Sequence, residues 1–233
     1  MNKISELLKN LHITYKNIAI YEQALTHPSY NGDANTKHQD YEKLEFMGDA
    51  VLGYVTADLV YKNRPEMSEG NLTKLRSVLV STKPLANYAR KISLHEYIRI
   101  GHSITMNQVK ESDKILENVF EALIGAIYLD AGLKSAYKLI MSLLLDDIKN
   151  YDADNLTDYK TKLQEEIQAE HRDAVQYVTV ETSGPAHDRT FRVQVLYNGI
   201  VLGEGIGKSK KAAEQNAAKK ALAIYETREQ NNE

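Results

Sequence analysis

The sequence predicts an all-α N-terminal domain followed by a small α+β domain with the element order α-β-β-β-α. Three observations lead to this prediction. From Ile4 to about Lys149, apolar residues recur at spacings of three and four, which is the helical period. The segment NYDADNLTD (150–158) is polar and lacks periodicity, so we predict a linker there. After it, apolar and polar residues alternate with the period of two that is typical of strands. The predicted boundaries are 1–149 for the first domain, 150–157 for the linker and 158–227 for the second domain.

Composition is that of an ordinary globular protein, with 42% hydrophobic and 26% charged residues in 233. The absence of cysteine excludes disulfides, thiolate zinc sites and a cysteine nucleophile, and it suits the reducing cytoplasm, where we expect the protein to act. We expect no signal peptide, because MNKISELLKN has no apolar core. We also expect no membrane span, because Glu121 and Asp130 interrupt the most apolar stretch.

Breaks in the helical pattern divide the first domain into separate helices. Pro28, Pro65 and Gly132 stand at three of these breaks, where proline and glycine interrupt or end helices. The predicted helices lie near residues 3–10, 18–26, 41–63, 69–80, 83–91, 111–130 and 133–148.

The stretch YEKLEFMGDAVL (41–52) carries an acidic stripe on an otherwise apolar helix. At 100° per residue, Glu42, Glu45 and Asp49 fall within one narrow arc. A solvated acidic face is one interpretation of such a stripe. However, a helix that is apolar almost all round is buried on most faces, which favours a cleft or an interface for the three carboxylates.

A second stretch, ENVFEALIGAIYLDAG (117–132), places Asn118 and Glu121 one turn apart at the head of an apolar helix. If this helix packs beside the first, four oxygen-bearing side chains converge: Glu45, Asp49, Asn118 and Glu121. Carboxylates with one amide suit a hard cation such as Mg²⁺, which commonly serves phosphate chemistry. The spacing fixes a helix face but not its partner, so this metal site stays open on the pattern alone.

The second domain begins with an amphipathic helix and continues with alternating runs, VQYVTVE and RTFRVQVLYNGIVLGEG. Asn198-Gly199 predicts a two-residue hairpin turn between two strands. Ser209 is well placed to cap the last helix, whose Ala213, Ala217 and Ala221 form a stripe able to pack flat on a sheet.

Residues 208–220 include five lysines and one glutamate, which gives a net charge of +4. Three of them, Lys208, Lys210 and Lys211, gather at the predicted helix N-terminus, where the helix dipole already favours anions. A solvated helix end with routine lysines is the alternative. A nucleotide-binding P-loop is excluded, because the required glycine position holds Leu202, and we expect no nucleotide cofactor.

These motifs together resemble bacterial ribonuclease III. EKLEFMGDAVLG resembles the signature of that family, and ALTHPSY (24–30), SEGNLTKLRS (68–77) and FEALIGAIYLDAG (120–132) stand in the matching order around it. The loop GPAHDR (184–189) and GKSKKAAEQNAAKKAL (207–222) resemble a double-stranded-RNA-binding domain.

The resemblance implies a homodimeric endoribonuclease that hydrolyses double-stranded RNA with Mg²⁺, Mn²⁺ being tolerated, and leaves 5′-phosphates and short 3′ overhangs. It implies processing of ribosomal RNA precursors and other structured transcripts. The roles it implies in the first domain are these: catalysis by Asp49 and Glu121; metal binding by Glu45, Asp49, Asn118 and Glu121; lining of the cleft by Glu42 and Glu69; and insertion of Phe46 into the partner subunit.

In the second domain the resemblance implies that Gln164 lies on the helix touching one minor groove and His187 in the loop entering the next. Lys208, Lys210 and Lys211 match a phosphate clamp across the intervening major groove, consistent with recognition of A-form shape.

One departure from the family pattern is Asn118, where aspartate is usual. An amide oxygen still ligates Mg²⁺ but supplies no charge, so we expect weaker metal affinity and retained cleavage. Two rival hypotheses are an RNA-binding protein with a degraded catalytic half and a dimeric scaffold for ribosome assembly. The intact Glu45, Asp49 and Glu121 favour the enzyme.

Overall fold

The computed structural model describes residues 3–33, 38–152, 158–170, 174–185 and 188–230. The chain divides into two compact units, Met1–Leu156 and Thr157–Glu233. The first unit is helical and the second combines helices with a sheet, which confirms the predicted fold class.

The first unit contains helices around one apolar core. Two of them, α4 and α8, pack against each other along the middle of this core and carry the acidic motifs. The described helices are α1 (Lys3–Asn10), α2 (Ile18–Ala24), α3 (Tyr30–Asp33), α4 (Glu42–Asn63), α5 (Glu69–Leu79), α6 (Thr82–Lys91), α7 (Met106–Glu111), α8 (Asp113–Ala131) and α9 (Leu133–Asn150), with a 3₁₀ turn at Leu94–Tyr97.

Three short elements were not predicted: α3, α7 and the 3₁₀ turn, each of four to six residues. The predicted start of the acidic helix at residue 111 was also early. Ser112 has extended backbone angles and accepts a hydrogen bond on its Oγ from Ile115 N at 3.3 Å. It therefore caps α8 and separates it from α7, which has its own capping box between Thr105 and Gln108.

Two glycines bring α4 and α8 into backbone contact. A Cβ on Gly48 would lie 1.7 Å from the carbonyl oxygen of Glu121, and a Cβ on Gly125 would lie 2.3 Å from that of Leu44. Real Cβ atoms do not approach so closely, so the helices can meet only where both side chains are absent. This contact holds Glu45 and Asp49, which flank Gly48, beside the second acidic motif.

The second unit has the predicted order α-β-β-β-α. Its elements are α10 (Tyr159–Glu170), β1 (Gln176–Ser183), β2 (Thr190–Tyr197), β3 (Ile200–Gly207) and α11 (Lys210–Gln230). The strands form an antiparallel sheet in the order β1-β2-β3. Asn198 and Gly199 both have positive φ, 48° and 79°, and join β2 to β3 as the two-residue turn that the sequence predicts.

Helix α11 packs on β3 through small residues on both sides. Gly203, Gly205 and Gly207 leave no room for a Cβ beneath the backbone of α11. Ala217 and Ala221 are fully buried at this contact, as the predicted stripe requires. Ser209 caps the helix, its Oγ accepting a hydrogen bond from Ala212 N at 3.1 Å. The lysine-rich end of α11 is thereby fixed at one edge of the unit.

Across the described ranges, no helix combines the length and the apolar character that crossing a membrane requires.

Candidate functional site

An acidic cleft of about 610 Å³ lies where α4 and α8 meet. Both helices contribute charged side chains to it, and Val80 closes it from the end of α5. The lining residues are Tyr41, Glu42, Glu45, Phe46, Asp49, Val80, Lys114, Glu117, Asn118 and Glu121.

The acidic stripe of α4 faces this cleft, as its spacing predicts. Glu42, Glu45 and Asp49 all line it, with Glu45 half-buried and the other two exposed. Glu42 and Glu45 also lie in the first turn of α4, where the positive end of the helix dipole stabilises negative charge. The helix end thus offsets part of the repulsion within the stripe.

Helix α8 contributes Asn118 and Glu121 from the opposite wall. Glu121 is buried, with only 7% of its surface exposed. Asn118 is half-buried, and its Oδ1 is shielded from solvent and accepts no hydrogen bond from the described residues. A shielded acceptor that lacks a donor is costly, so a cation or a hydrogen donor, water included, would be stabilised at this oxygen.

Burial and like charges perturb the carboxylates. The pKa of Glu121 is raised to about 8, first by burial and then by repulsion from Asp49, Glu117 and Glu45, while Lys114 opposes the rise. Burial also raises the pKa of Glu45. A buried carboxyl that holds its proton near neutral pH is typical of a functional site.

Sequence reasoning did not predict Lys114 and Glu117 as cleft residues. Glu117 is buried with 8% exposure, and Lys114 Nζ lies 3.0 Å from its Oε2. Both stand on the same face of α8 as Glu121, with Glu117 four residues and Lys114 seven residues before it. Applying the helical period backwards from Glu121 would have found them.

The donor set fits a hard divalent cation. Carboxylate and amide oxygens are the ligands that Mg²⁺ prefers, and Asn118 Oδ1 lacks a partner. In the part of the chain that the structure describes, no three acidic or histidine side chains converge into a ready coordination shell. Mg²⁺ does not require such a shell, because it usually keeps several waters and binds through one or two carboxylates.

Glu69 is placed differently from the other acidic candidates, which all line the cleft. Glu69 lies exposed in the first turn of α5 and accepts a hydrogen bond from Thr73 Oγ1 at 3.2 Å. It is not among the residues lining the cleft. Its inclusion with Glu42 came from the family resemblance, which carries no information about distance within one subunit.

An exposed aromatic stripe runs along α4 and begins at Phe46, which also lines the cleft. Phe46 is 78% exposed, Tyr54 58% and Tyr61 72%. These residues are seven or eight apart and therefore lie on one helix face. Large exposed aromatics on one helix face are candidates for an interaction surface.

The lysines of the second unit are exposed at the start of α11. Lys210 and Lys211 occupy its first positions, and Lys208 precedes the cap. Lys208 Nζ contacts Asp188 Oδ1 at 2.7 Å in an exposed ion pair. The three lysines thus stand at the N-terminal, positive end of α11, where the sequence predicts them.

The other two predicted RNA-binding residues differ in how far the structure describes them. Gln164 is half-buried on α10, and its Oε1 accepts a hydrogen bond from Val175 N at 3.3 Å. This bond ties the side chain to the start of the sheet. His187 lies outside the described residues.

Comparisons with known proteins agree on both units. A family described as Ribonuclease-III-like matches residues 17–148, and one described as Double-stranded RNA binding motif matches residues 159–225. Ribonuclease 3 of Lactococcus lactis subsp. cremoris is 39% identical over 224 residues, covering 95% of this chain and 97% of the relative. Ribonuclease 3 of Latilactobacillus sakei is 39% identical and covers 94% of this chain and 96% of its own.

Solved structures show the same similarity for the helical unit. The nuclease domain of ribonuclease III from Campylobacter jejuni aligns with a TM-score of 0.57 at 34% identity, covering 65% of this chain and 100% of that domain. A second structure of that nuclease domain aligns with a TM-score of 0.56 at 34% identity, covering 62% of this chain and 96% of that one; its description concerns flexibility in a region involved in dimer formation.

Proposed function

The chain belongs to the ribonuclease III family, and from this premise we propose that it cleaves double-stranded RNA at the acidic cleft between α4 and α8. Asp49 and Glu121 are the proposed catalytic residues, in a catalytic domain of residues 1–149. Residues 158–227 form the proposed duplex-binding domain. The proposed products carry 5′-phosphates and short 3′ overhangs.

The observation that carries the proposal is Glu121, a buried carboxyl whose pKa is raised to about 8 in a cleft shared with Asp49 and Glu45. Holding these groups together costs folding free energy, since like charges and burial both oppose ionisation. Such a cost is typical of a site kept for function rather than for stability.

The family uses a divalent metal, and here we propose Mg²⁺, with Mn²⁺ tolerated, held by Glu45, Asp49, Asn118 and Glu121. When bound, the cation supplies positive charge that stabilises the attacking and leaving oxygens of phosphoryl transfer. Because the pKa of Glu121 is raised to about 8, this carboxyl would release its proton to solvent when it holds the cation at neutral pH. Asp49 lines the cleft and is exposed, which supports a role for it in contacting the RNA backbone.

We propose that the active form is a homodimer joined through the aromatic stripe of Phe46, Tyr54 and Tyr61. Their exposure supports this, and the C. jejuni nuclease domain is described as having a region involved in dimer formation. Two clefts related by a twofold axis would each cut one strand of the duplex, which accounts for a stagger between the cuts.

In the second domain we propose that Lys208, Lys210 and Lys211 bind RNA phosphates, with Gln164 and His187 contacting the adjacent minor grooves. The match of residues 159–225 to the RNA-binding motif and the exposed lysines support this. We place the reaction in the cytoplasm, on ribosomal RNA precursors and other structured transcripts.

Digestion of an end-labelled RNA duplex of defined sequence by the full chain, with and without Mg²⁺, tests the function. We expect Mg²⁺-dependent shortening, with mapped ends showing 5′-phosphates and a short 3′ stagger. A gel shift without shortening would instead identify a binding protein. The absence of both shift and shortening would identify a scaffold.

Replacing Asn118 with aspartate is expected to lower the Mg²⁺ concentration for half-maximal cleavage by roughly three- to tenfold, because a carboxylate adds charge at the cation. The measurement is initial cleavage rate against Mg²⁺ concentration for both proteins. An unchanged or higher requirement in the variant would contradict the assigned role of Asn118.

Replacing Asp188 with asparagine is expected to strengthen duplex binding and to steepen its salt dependence. Asp188 occupies Lys208 in an exposed ion pair, and removing its charge frees one ammonium for phosphate. The slope of the logarithm of the binding constant against the logarithm of salt concentration should become steeper by about one. Glu181→Gln is the matched control, because Glu181 also forms an exposed ion pair, with its carboxylate 3.3 Å from Arg192. Weaker binding by the Asp188→Asn protein would show that Asp188 orders the lysine for RNA instead of competing with it.

A further inference from the structure

Glu117 is a buried carboxylate in the cleft for which the proposed function has no use. It lines the cleft directly before Asn118 on α8, and only 8% of its surface is exposed. Glutamates are almost never buried to this degree unless a partner balances the charge.

Its two oxygens have different surroundings. Oε1 accepts a hydrogen bond from Thr82 Oγ1 at 3.2 Å. Oε2 is shielded from solvent and forms an ion pair with Lys114, whose Nζ lies 3.0 Å away. The ammonium side chain of Lys114 is 66% exposed, so Oε2 is balanced by a cation that can move into solvent.

The charge of Glu117 reaches the rest of the cleft. Glu117 lines the same cleft as Glu45 and Glu121, and it lies four residues, about one helical turn, before Glu121 on α8. The residues that line the cleft thus carry five carboxylates and one ammonium. Asn118, the amide among them, has an unpartnered Oδ1.

We propose that Glu117 is a further cation-holding residue of the cleft, supplying from α8 the negative charge that Asn118 does not, and that Lys114 is the internal counter-ion it releases. This inference rests on the proposed metal-dependent function. Glu117 acts on the bound cation directly or through one of its waters, since Mg²⁺ usually retains several.

The exchange explains why a lysine stands in a cation site. Before the cation arrives, Lys114 limits the repulsion among Glu45, Glu117 and Glu121. A divalent ion brings twice the charge, so it displaces the ammonium into solvent, where hydration compensates the lysine. Removal of Glu117 and removal of Lys114 therefore have opposite effects on cation affinity.

Isothermal titration of the full chain with Mn²⁺, without RNA, tests this. Glu117→Gln should weaken Mn²⁺ binding by roughly tenfold, as loss of a supporting ligand does. The amide keeps an oxygen for Thr82, and a melting curve of each variant checks the fold. Lys114→Met should tighten binding by about threefold. Asp146→Asn, an exposed acid on α9, is the charge-matched control and should bind as the parent does.

A double-mutant cycle adds a second requirement. If Glu117 supplies the charge that Asn118 lacks, Glu117→Gln should cost several-fold less affinity in a chain that carries Asn118→Asp. Equal Mn²⁺ affinity of Glu117→Gln and the parent overturns the inference, as does weaker binding by Lys114→Met. If Glu121→Gln also binds Mn²⁺ as the parent does, the proposed metal site itself is wrong; if only Glu121→Gln is impaired, that site stands and Glu117 is a structural residue.

Discussion

Glu121→Gln is expected to reduce cleavage of duplex RNA by roughly 10³-fold or more while leaving duplex binding within about twofold of the parent. Glutamine has nearly the same volume and keeps one oxygen, but it cannot supply the charge that a cation needs. The duplex should still bind, because the exposed lysines at α11 belong to the other unit. Asp49→Asn should behave in the same way. Cleavage rates and gel shifts on one duplex measure both properties.

The same substitution should stabilise the protein when divalent ions are removed. The folded-state pKa of Glu121 is about 8 against an ordinary 4.5, so the folded protein binds this proton more tightly than the unfolded chain does. The resulting stability is present below pH 4.5 and is lost as the pH rises through 8. Glu121→Gln avoids that loss and should raise the free energy of unfolding by about 1–3 kcal/mol at pH 8.5, with little effect at pH 4.5.

Urea denaturation in EDTA at both pH values measures whether the free energy of unfolding rises or falls. Asp146→Asn is the control for the loss of a charge elsewhere in the chain. A variant that is inactive and also less stable at pH 8.5 would show that Glu121 serves folding rather than the site. Loss of duplex binding together with cleavage would lead to the same conclusion.

The two acidic motifs were predictable because helical periodicity places side chains on a face. The spacing of Glu42, Glu45 and Asp49 put them on one arc, and the structure has them in one cleft. The pairing of that arc with Glu121 was not predictable, since a period does not name the neighbouring helix. What decides the pairing is the absence of a Cβ at Gly48 and Gly125, and nothing in either local pattern identifies those glycines as one contact.

The turn and the helix cap of the second unit could be predicted because both depend on local chemistry. Asn198-Gly199 and Ser209 act through their own backbone neighbourhood, so their roles could be inferred without knowing the fold. Gln164 is the opposite case, because its hydrogen bond to Val175 N depends on how α10 meets the start of the sheet. The short helices α3 and α7 were missed because four to six residues are too few to establish a period.

Gly48→Ala is expected to lower the free energy of unfolding by about 3 kcal/mol or more, at the upper end of the cost of overpacking a core. The added Cβ meets the carbonyl oxygen and carbon of Glu121, at 1.7 and 2.5 Å, and backbone atoms cannot move aside as a side chain can. The helices α4 and α8 must therefore separate. For a unit of this size the melting temperature should fall by about 6–12 °C.

The cleavage rate of Gly48→Ala should also fall, even at temperatures where the variant is folded. The atom that the new Cβ displaces belongs to Glu121, so the separation moves this carboxyl away from Glu45 and Asp49. A misplacement of about 1 Å in a site of this kind can cost about 10²-fold in rate. Gly70→Ala is the matched control, because that glycine lies exposed in α5, a Cβ added there would have no heavy atom within 4 Å, and alanine favours a helix. Melting curves and cleavage rates of the two variants decide the matter: if Gly48→Ala is as stable and as active as Gly70→Ala, the helix contact does not hold the cleft together.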